Sequence, residues 1–221
     1  MRRSTEQEAL ARLQRLKRAY QRHMHVHYEH AARSCRTCPT KGVCCTDAHF
    51  VNVQITRLEA VAIRETLLRT PRLTDDAKRA VFKRARDAVE RYGLTVGGTQ
   101  TFSCPLFDQR AGCLVHQRAK PAPCIQHACY DRWEDVPPIE LQWRVERRIE
   151  RLNDRAYGAA WAWLSLPVWL KLVDPWSDGA ELERLGREWG AIRKDRRANR
   201  ESSRSRRVLP VVGTCFGRRF S

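Results

Sequence analysis

Long apolar runs are missing from this 221-residue chain. Its most apolar stretch, YGAAWAWLSLPVWLKLV at 157–173, is broken by Pro167 and Lys171. It falls short of the roughly 20 residues a membrane span needs, so it reads as a buried helix or helix pair and no span is expected. The segment MRRSTEQEALARLQRLKRAYQRH is charged throughout and has no apolar centre, so no secretory signal is expected. Lysine is scarce as well, with 7 residues against 35 arginines. Several catalytic signatures are lacking. VGGTQTF at 96–102 has no Lys-Ser/Thr to complete a phosphate loop, and there is no HExxH or nucleophile elbow. No strand, glycine loop and helix succession offers the cofactor pocket of a methyltransferase.

These absences leave a chain expected in the cytoplasm. Thiols stay reduced there, and clustered cysteines more often hold metal or do redox work than form structural bridges. The hydrophobic fraction of 42% is enough for a core of its own. A formal net charge of +17 favours acidic partners, such as nucleic acid, anionic membrane or an acidic protein, without naming one.

Cysteine is abundant and grouped. Eight of the nine fall into two sets of four. The first is Cys35-x2-Cys38-x5-Cys44-Cys45; the second is Cys104, Cys113, Cys124 and Cys129, spaced x8, x10 and x4. Thiolates are preferred ligands of zinc and iron, and four of them close a tetrahedral shell or hold a cluster. The wide spacings of the second set are not those of paired zinc knuckles, so ligands from both sets are expected to converge. Neighbouring residues in an extended chain point to opposite sides, so Cys44-Cys45 suits a multinuclear cluster, or two nearby sites, better than one zinc. Cys215 stands alone and reads as a free thiol. His23, His25, His27, His30 and His49 have spacings or positions a metal site could use, His30 foremost, but they read first as core-facing or surface histidines.

Helix is expected over 6–31, with Leu13, Leu16, Tyr20 and Met24 on one stripe. HFVNVQIT at 49–56 alternates as a short strand does. Thr56 and Glu59 form a capping box at the next helix start. Thr74 opens another helix with Asp75 and Asp76 in its first turn, Phe82, Ala85, Val89 and Tyr92 on its buried stripe, and Gly93 as its stop. Residues 97–130 are loop-rich, and metal is the obvious clamp for so long an irregular segment. A helix is expected over about 138–166 with Leu141, Val145, Ile149, Leu152 and Ala156 on one face. A last helix is expected from a cap at Ser177 to about 194. The tryptophans read as packing residues. The Arg/Ser-rich end reads as a mobile basic tail able to contact phosphates.

The ordered set CRTCPTKGVCC, VNVQITRLEAVAI and CPLFDQRAGCLVHQRAKPAPCIQHAC, spanning about 35–130, resembles the zinc- or iron-chelating cysteine-cluster proteins of the YkgJ-like family. The chain departs from the family pattern at His116, Lys120 and Ile125, which leaves the eight thiols intact and, with His127, adds two imidazoles. The resemblance implies an iron–sulfur cluster, or zinc, and one branch of the family resembles flagellin lysine methylases. The resulting expectation is a mainly α protein with a small irregular, partly β, cysteine-rich metal-binding core. It divides into an N-terminal helix (1–34), a cysteine-cluster metal-binding domain (35–130), a C-terminal helical extension (131–194) and a basic flexible tail (195–221). The expected ligands are Cys35, Cys38, Cys44, Cys45, Cys104, Cys113, Cys124 and Cys129. The expected function is metal or iron–sulfur binding with a redox or other protein partner. The alternatives are a structural zinc module whose basic surface binds nucleic acid or an acidic protein, and a protein-modifying enzyme such as a lysine methylase.

Overall fold

The computed structural model describes residues 3–33, 40, 42–46, 52–95, 98 and 100–205, with side chains up to residue 192. The architecture is mainly helical. The chain runs α1 (Glu6–His27), β1 (Ala32–Arg33), β2 (Gln54–Ile55), α2 (Arg57–Leu68), α3 (Asp75–Arg91), β3 (Phe107–Asp108), β4 (Gly112–Cys113) and α4 (Ala122–Gln126). It continues through β5 (Cys129–Tyr130), α5 (Ile139–Tyr157), β6 (Leu164–Ser165), α6 (Leu166–Leu172) and α7 (Ala180–Ser205). The strands form three antiparallel two-stranded pairs, β1–β5, β2–β6 and β3–β4.

Local signals set most helix starts. The Thr56–Glu59 capping box is present with both of its hydrogen bonds, and a second one, Thr5–Glu8, opens α1. The Thr74 hydroxyl accepts the Ala77 N–H at the start of α3. At the other end of α3, Leu94 N–H donates to Val89 C=O and Gly93 N–H to Glu90 C=O. This is the Schellman closure, and it buries Leu94.

Several expectations change. Helix α1 stops at His27 and a 3-10 turn covers Glu29–Ala31. Its buried stripe is Ala9, Leu13, Lys17, Tyr20 and Met24, with Leu16 only half-buried. The buried face of α3 runs through Val81, Phe82, Ala85 and Ala88, leaving Val89 and Tyr92 at its edge. The strand expected at 49–56 is two residues long where it is described.

The helix expected to reach 166 ends at Tyr157. Gly158, at φ +61° and ψ −121°, takes a conformation that residues with a Cβ avoid. The chain then folds back so that Leu164–Ser165 can pair with Gln54–Ile55. The apolar stretch 157–173 is therefore an irregular segment followed by the short, buried α6. Trp161 and Trp169 are fully buried, and their indole N–H groups donate to the Asp154 carboxylate (2.9 Å) and the Ala162 carbonyl (3.1 Å). Such partners let tryptophan fill a core without an orphaned donor. Ser177 does not cap α7; the Asp178 carboxylate accepts the Ala180 N–H instead. The helix runs on to Ser205, into the stretch expected to be a tail.

Two core clusters meet at α2. One gathers Ile63, Leu67, Phe82, Phe102, Leu106, Trp161 and Trp169 from α2, α3, α6 and the segments before β3 and β6. The other gathers Leu13, Tyr20, Met24, Leu58, Val145 and Ile149, with Ala122 and Ile125 of α4. Leu10, Ala62 and Tyr157 pack against both. Asn153, fully buried on α5, accepts the Leu58 N–H at 2.8 Å, one of the free donors of the first turn of α2. No helix among the described residues is long and apolar enough to cross a membrane.

Candidate metal centre

The Cys44-Cys45 pair sits in a tight turn. Cys45 N–H donates to Gly42 C=O at 2.7 Å, and Thr46 N–H to the same oxygen at 3.0 Å. Gly42 has φ +83°, and a Cβ there would lie 1.9 Å from the nearest atom of the Phe107 ring. The hairpin β3–β4 thus packs its aromatic side chain directly on the cysteine turn. Gly42→Ala is expected to combine this clash with the ~1–2 kcal/mol cost of a left-handed backbone. Its thermal midpoint should fall by several degrees; an unchanged midpoint would show that the turn can relocate freely.

The second cysteine segment is tied to the first by the backbone. Cys104 N–H donates to Cys45 C=O at 2.8 Å. Beyond it the chain turns into the β3–β4 hairpin, where the Asp108 carboxylate accepts the N–H groups of Ala111 and Arg110. Those two bonds hold its carboxyl below the usual range. Cys113 ends β4, Cys124 lies in α4, and Cys129 opens β5 opposite Arg33.

The thiols of these segments feel one another. Cys44 is held down to about 4, first by a hydrogen bond from Cys45 and then by one from His127. Cys45 is pushed up by sharing its proton with Cys44, then by burial and by the nearby Cys104. Burial raises Cys104, and Cys124 adds to the shift; the N–H groups of Leu106 and Phe107 act on its sulfur in the opposite sense. Cys113 is raised by burial and opposed by the Val115 N–H and by Lys120. Cys124 is pushed up to about 12 by burial, against the pull of Lys120 and Lys17. His116, flanking the same segment, is shifted down by burial and by Lys120. Amides aimed at sulfur stabilise thiolates, and in metal–thiolate centres they tune the metal.

The expected ligands fare unequally. Cys44, Cys45, Cys104, Cys113 and Cys124 share one neighbourhood through the interactions above. Cys129 is exposed on β5. Cys35, Cys38, His49 and Cys215 lie outside the described residues. The six described cysteines are free thiols. Among the described residues, no group of three or more His, Cys, Asp or Glu side chains stands as a metal-holding set.

Of the histidines, His127 meets the cysteines. His23 and His27 face each other, with ring centroids 4.5 Å apart, and His25 pairs with Glu29 at 2.7 Å. His27 is exposed and does not share the buried stripe of α1.

A buried ion pair beneath the centre went unread in the sequence. Lys17 Nζ lies 2.8 Å from Glu59 Oε1, with the two side chains 3% and 1% exposed. The same Glu59 oxygen accepts the Ala122 N–H at the start of α4, which carries Cys124, and its other oxygen completes the Thr56 capping box. Gln126, at the far end of α4, accepts the Tyr20 hydroxyl and donates to the carbonyls of Pro137 and Pro138. The start of the short cysteine-bearing helix is thus held by Glu59 of α2, which pairs with Lys17 of α1, and its end by Tyr20 of α1. The signals were present in the sequence, but a lysine on an apolar stripe looks like a surface residue until its partner is placed.

No protein-family model matches the chain, and neither does any curated protein or solved structure.

Proposed function

We propose that this protein is a cytoplasmic metal-binding protein of the YkgJ-like type that holds an iron–sulfur cluster, with zinc as the alternative, and serves a redox partner. The observation that carries the reading is the backbone bond from Cys104 to Cys45, which joins the two cysteine sets. Around it, five thiols raise or lower one another's ionisation, and backbone amides act on three of the sulfurs, Cys44, Cys104 and Cys113. The donor chemistry fits. Thiols with a neighbouring imidazole suit iron or zinc and not the oxygen-preferring magnesium or calcium.

Cys44, Cys45, Cys104, Cys113, Cys124 and Cys129, with Cys35 and Cys38, would supply the thiolates. An iron–sulfur cluster bound there would supply one-electron transfer, its potential set by burial and by hydrogen bonds to sulfur. The chain itself holds the cysteine turn against Phe107, keeps His127 on Cys44, and sets the positive charge of Lys120 near Cys113 and Cys124. Anaerobic purification followed by iron, zinc and acid-labile sulfide analysis tests the reading. Iron with comparable sulfide and a brown colour are expected. Zinc without sulfide would select the alternative, and a fully folded, metal-free protein insensitive to chelator would remove both.

A specific observation also favours a polyanion-binding surface. Arg12, Arg15, Arg18 and Arg22 are exposed along α1, and Arg144, Arg147, Arg148 and Arg151 along α5, beside the half-exposed Trp143. None of these arginines is in an ion pair with a described residue. Arginine faces that interleave an aromatic ring suit phosphate and base contacts. Reversing Arg12, Arg15 and Arg18 to glutamate is expected to weaken single-stranded RNA binding at least tenfold and to flatten its salt dependence. Absence of RNA binding by the parent protein at low salt would end this reading.

A further inference from the structure

A cleft of about 490 Å³ opens beside the cysteine segments, between the C-terminal half of α1 and the stretch from His116 to Tyr130. Its volume lies in the range of small-molecule sites. Met24 and Ile125, both buried, contribute an apolar floor. Among the described lining residues, cations outnumber carboxylates two to one. Arg22 and Lys120 line it, and neither has an ion-pair partner among the described residues. His116 and His127 add two imidazoles. The one carboxylate among the described lining residues, Glu29, pairs with His25 at 2.7 Å. Lys120 is half-buried, so water offsets its charge less than it would on an open surface.

We propose that this cleft is a binding site for a small molecule bearing an oxyanion, a carboxylate or a phosphate, held by Lys120 and Arg22 with its apolar part on Met24 and Ile125. Arg22 and Lys120, with no ion pair among the described residues, supply two positive charges against the single carboxylate of Glu29. Charge-assisted hydrogen bonds to such an anion are shorter and about twice as strong as neutral ones. The charge of Lys120 also reaches Cys113 and Cys124, although no described cysteine lines the cleft. The site does not require the metal reading, because Arg22, Lys120, Met24 and Ile125 line it irrespective of any metal.

The test is calorimetric titration of the purified full-length protein at fixed ionic strength, with inorganic phosphate in one arm and succinate in the other. Metal content is assayed on the same sample, so loss of metal and loss of anion binding are read separately. Saturable one-to-one binding of phosphate or succinate is expected. Lys120→Met should weaken it at least about tenfold, and Lys120→Arg should restore most of it. Arg187→Met, on the exposed face of α7 away from the cleft, should leave it unchanged. The proposal is overturned if the parent protein binds neither anion. It is equally overturned if Lys120→Met binds as the parent does, or if Arg187→Met weakens binding as much as Lys120→Met, since the attraction would then belong to the overall charge.

Discussion

Cys45→Ser protein, purified without oxygen, is expected to retain less than about a tenth of the parent's metal, because loss of a ligand should exceed the 10–100-fold effect of losing a ligand's supporting bond. Cys45 lies at the meeting point of the two cysteine sets. Its carbonyl accepts the Cys104 N–H, and its thiol feels Cys44, Cys104 and Cys113. Without a metal these groups oppose its ionisation, and a bound cation would convert that opposition into attraction. A serine hydroxyl cannot take this part, since it holds its proton far more tightly than a thiol does. Stability should fall with the metal, because structural zinc alone is worth about 10–16 kcal/mol in small peptides. Metal analysis and a thermal melt, with Cys215→Ser as the control, check both effects. A Cys45→Ser protein with the parent's metal content and melting point would exclude Cys45 as a ligand.

Lys17→Met is expected to destabilise the fold by about 3–5 kcal/mol, the cost of leaving one member of a buried ion pair alone. Glu59 would keep its bonds to Thr56 and Ala122 but lose the only cation within reach of its buried carboxylate among the described residues. Pairing the change with Glu59→Gln should recover part of the loss, since the amide carries no charge and its single oxygen can still accept one of the Thr56 and Ala122 N–H groups. Urea denaturation of the two single variants and the double variant measures the interaction. If Lys17→Met alone costs less than about 1 kcal/mol, the pair is as weak as a surface bridge and does not hold α4 in place.

The signals that proved readable act over a few residues. Thr56 with Glu59, Thr74 with its acids, and Gly93 after α3 each settle a helix end by hydrogen bonds within one turn. The stripe Leu13, Tyr20, Met24 marks the buried side of α1 for the same reason, because helical spacing is local. Gly158 was equally visible, but the apolar run beyond it imitates a helix. The chain breaks there because β6 pairs with β2, a partner far away in sequence.

The sequence by itself determined the helical class, the capped helix ends, the eight grouped cysteines and the excess of arginine. Only the tertiary structure decided that Lys17 faces inward to Glu59 and that Cys104 is bonded to Cys45. It also decided that Tyr20 reaches Gln126, 106 residues along the chain, and that Arg22 and Lys120 share one cleft. The physical reason is range. Caps and stripes arise from bonds and spacing inside one element, whereas the neighbours of a buried charge or thiol are set by how separate elements pack.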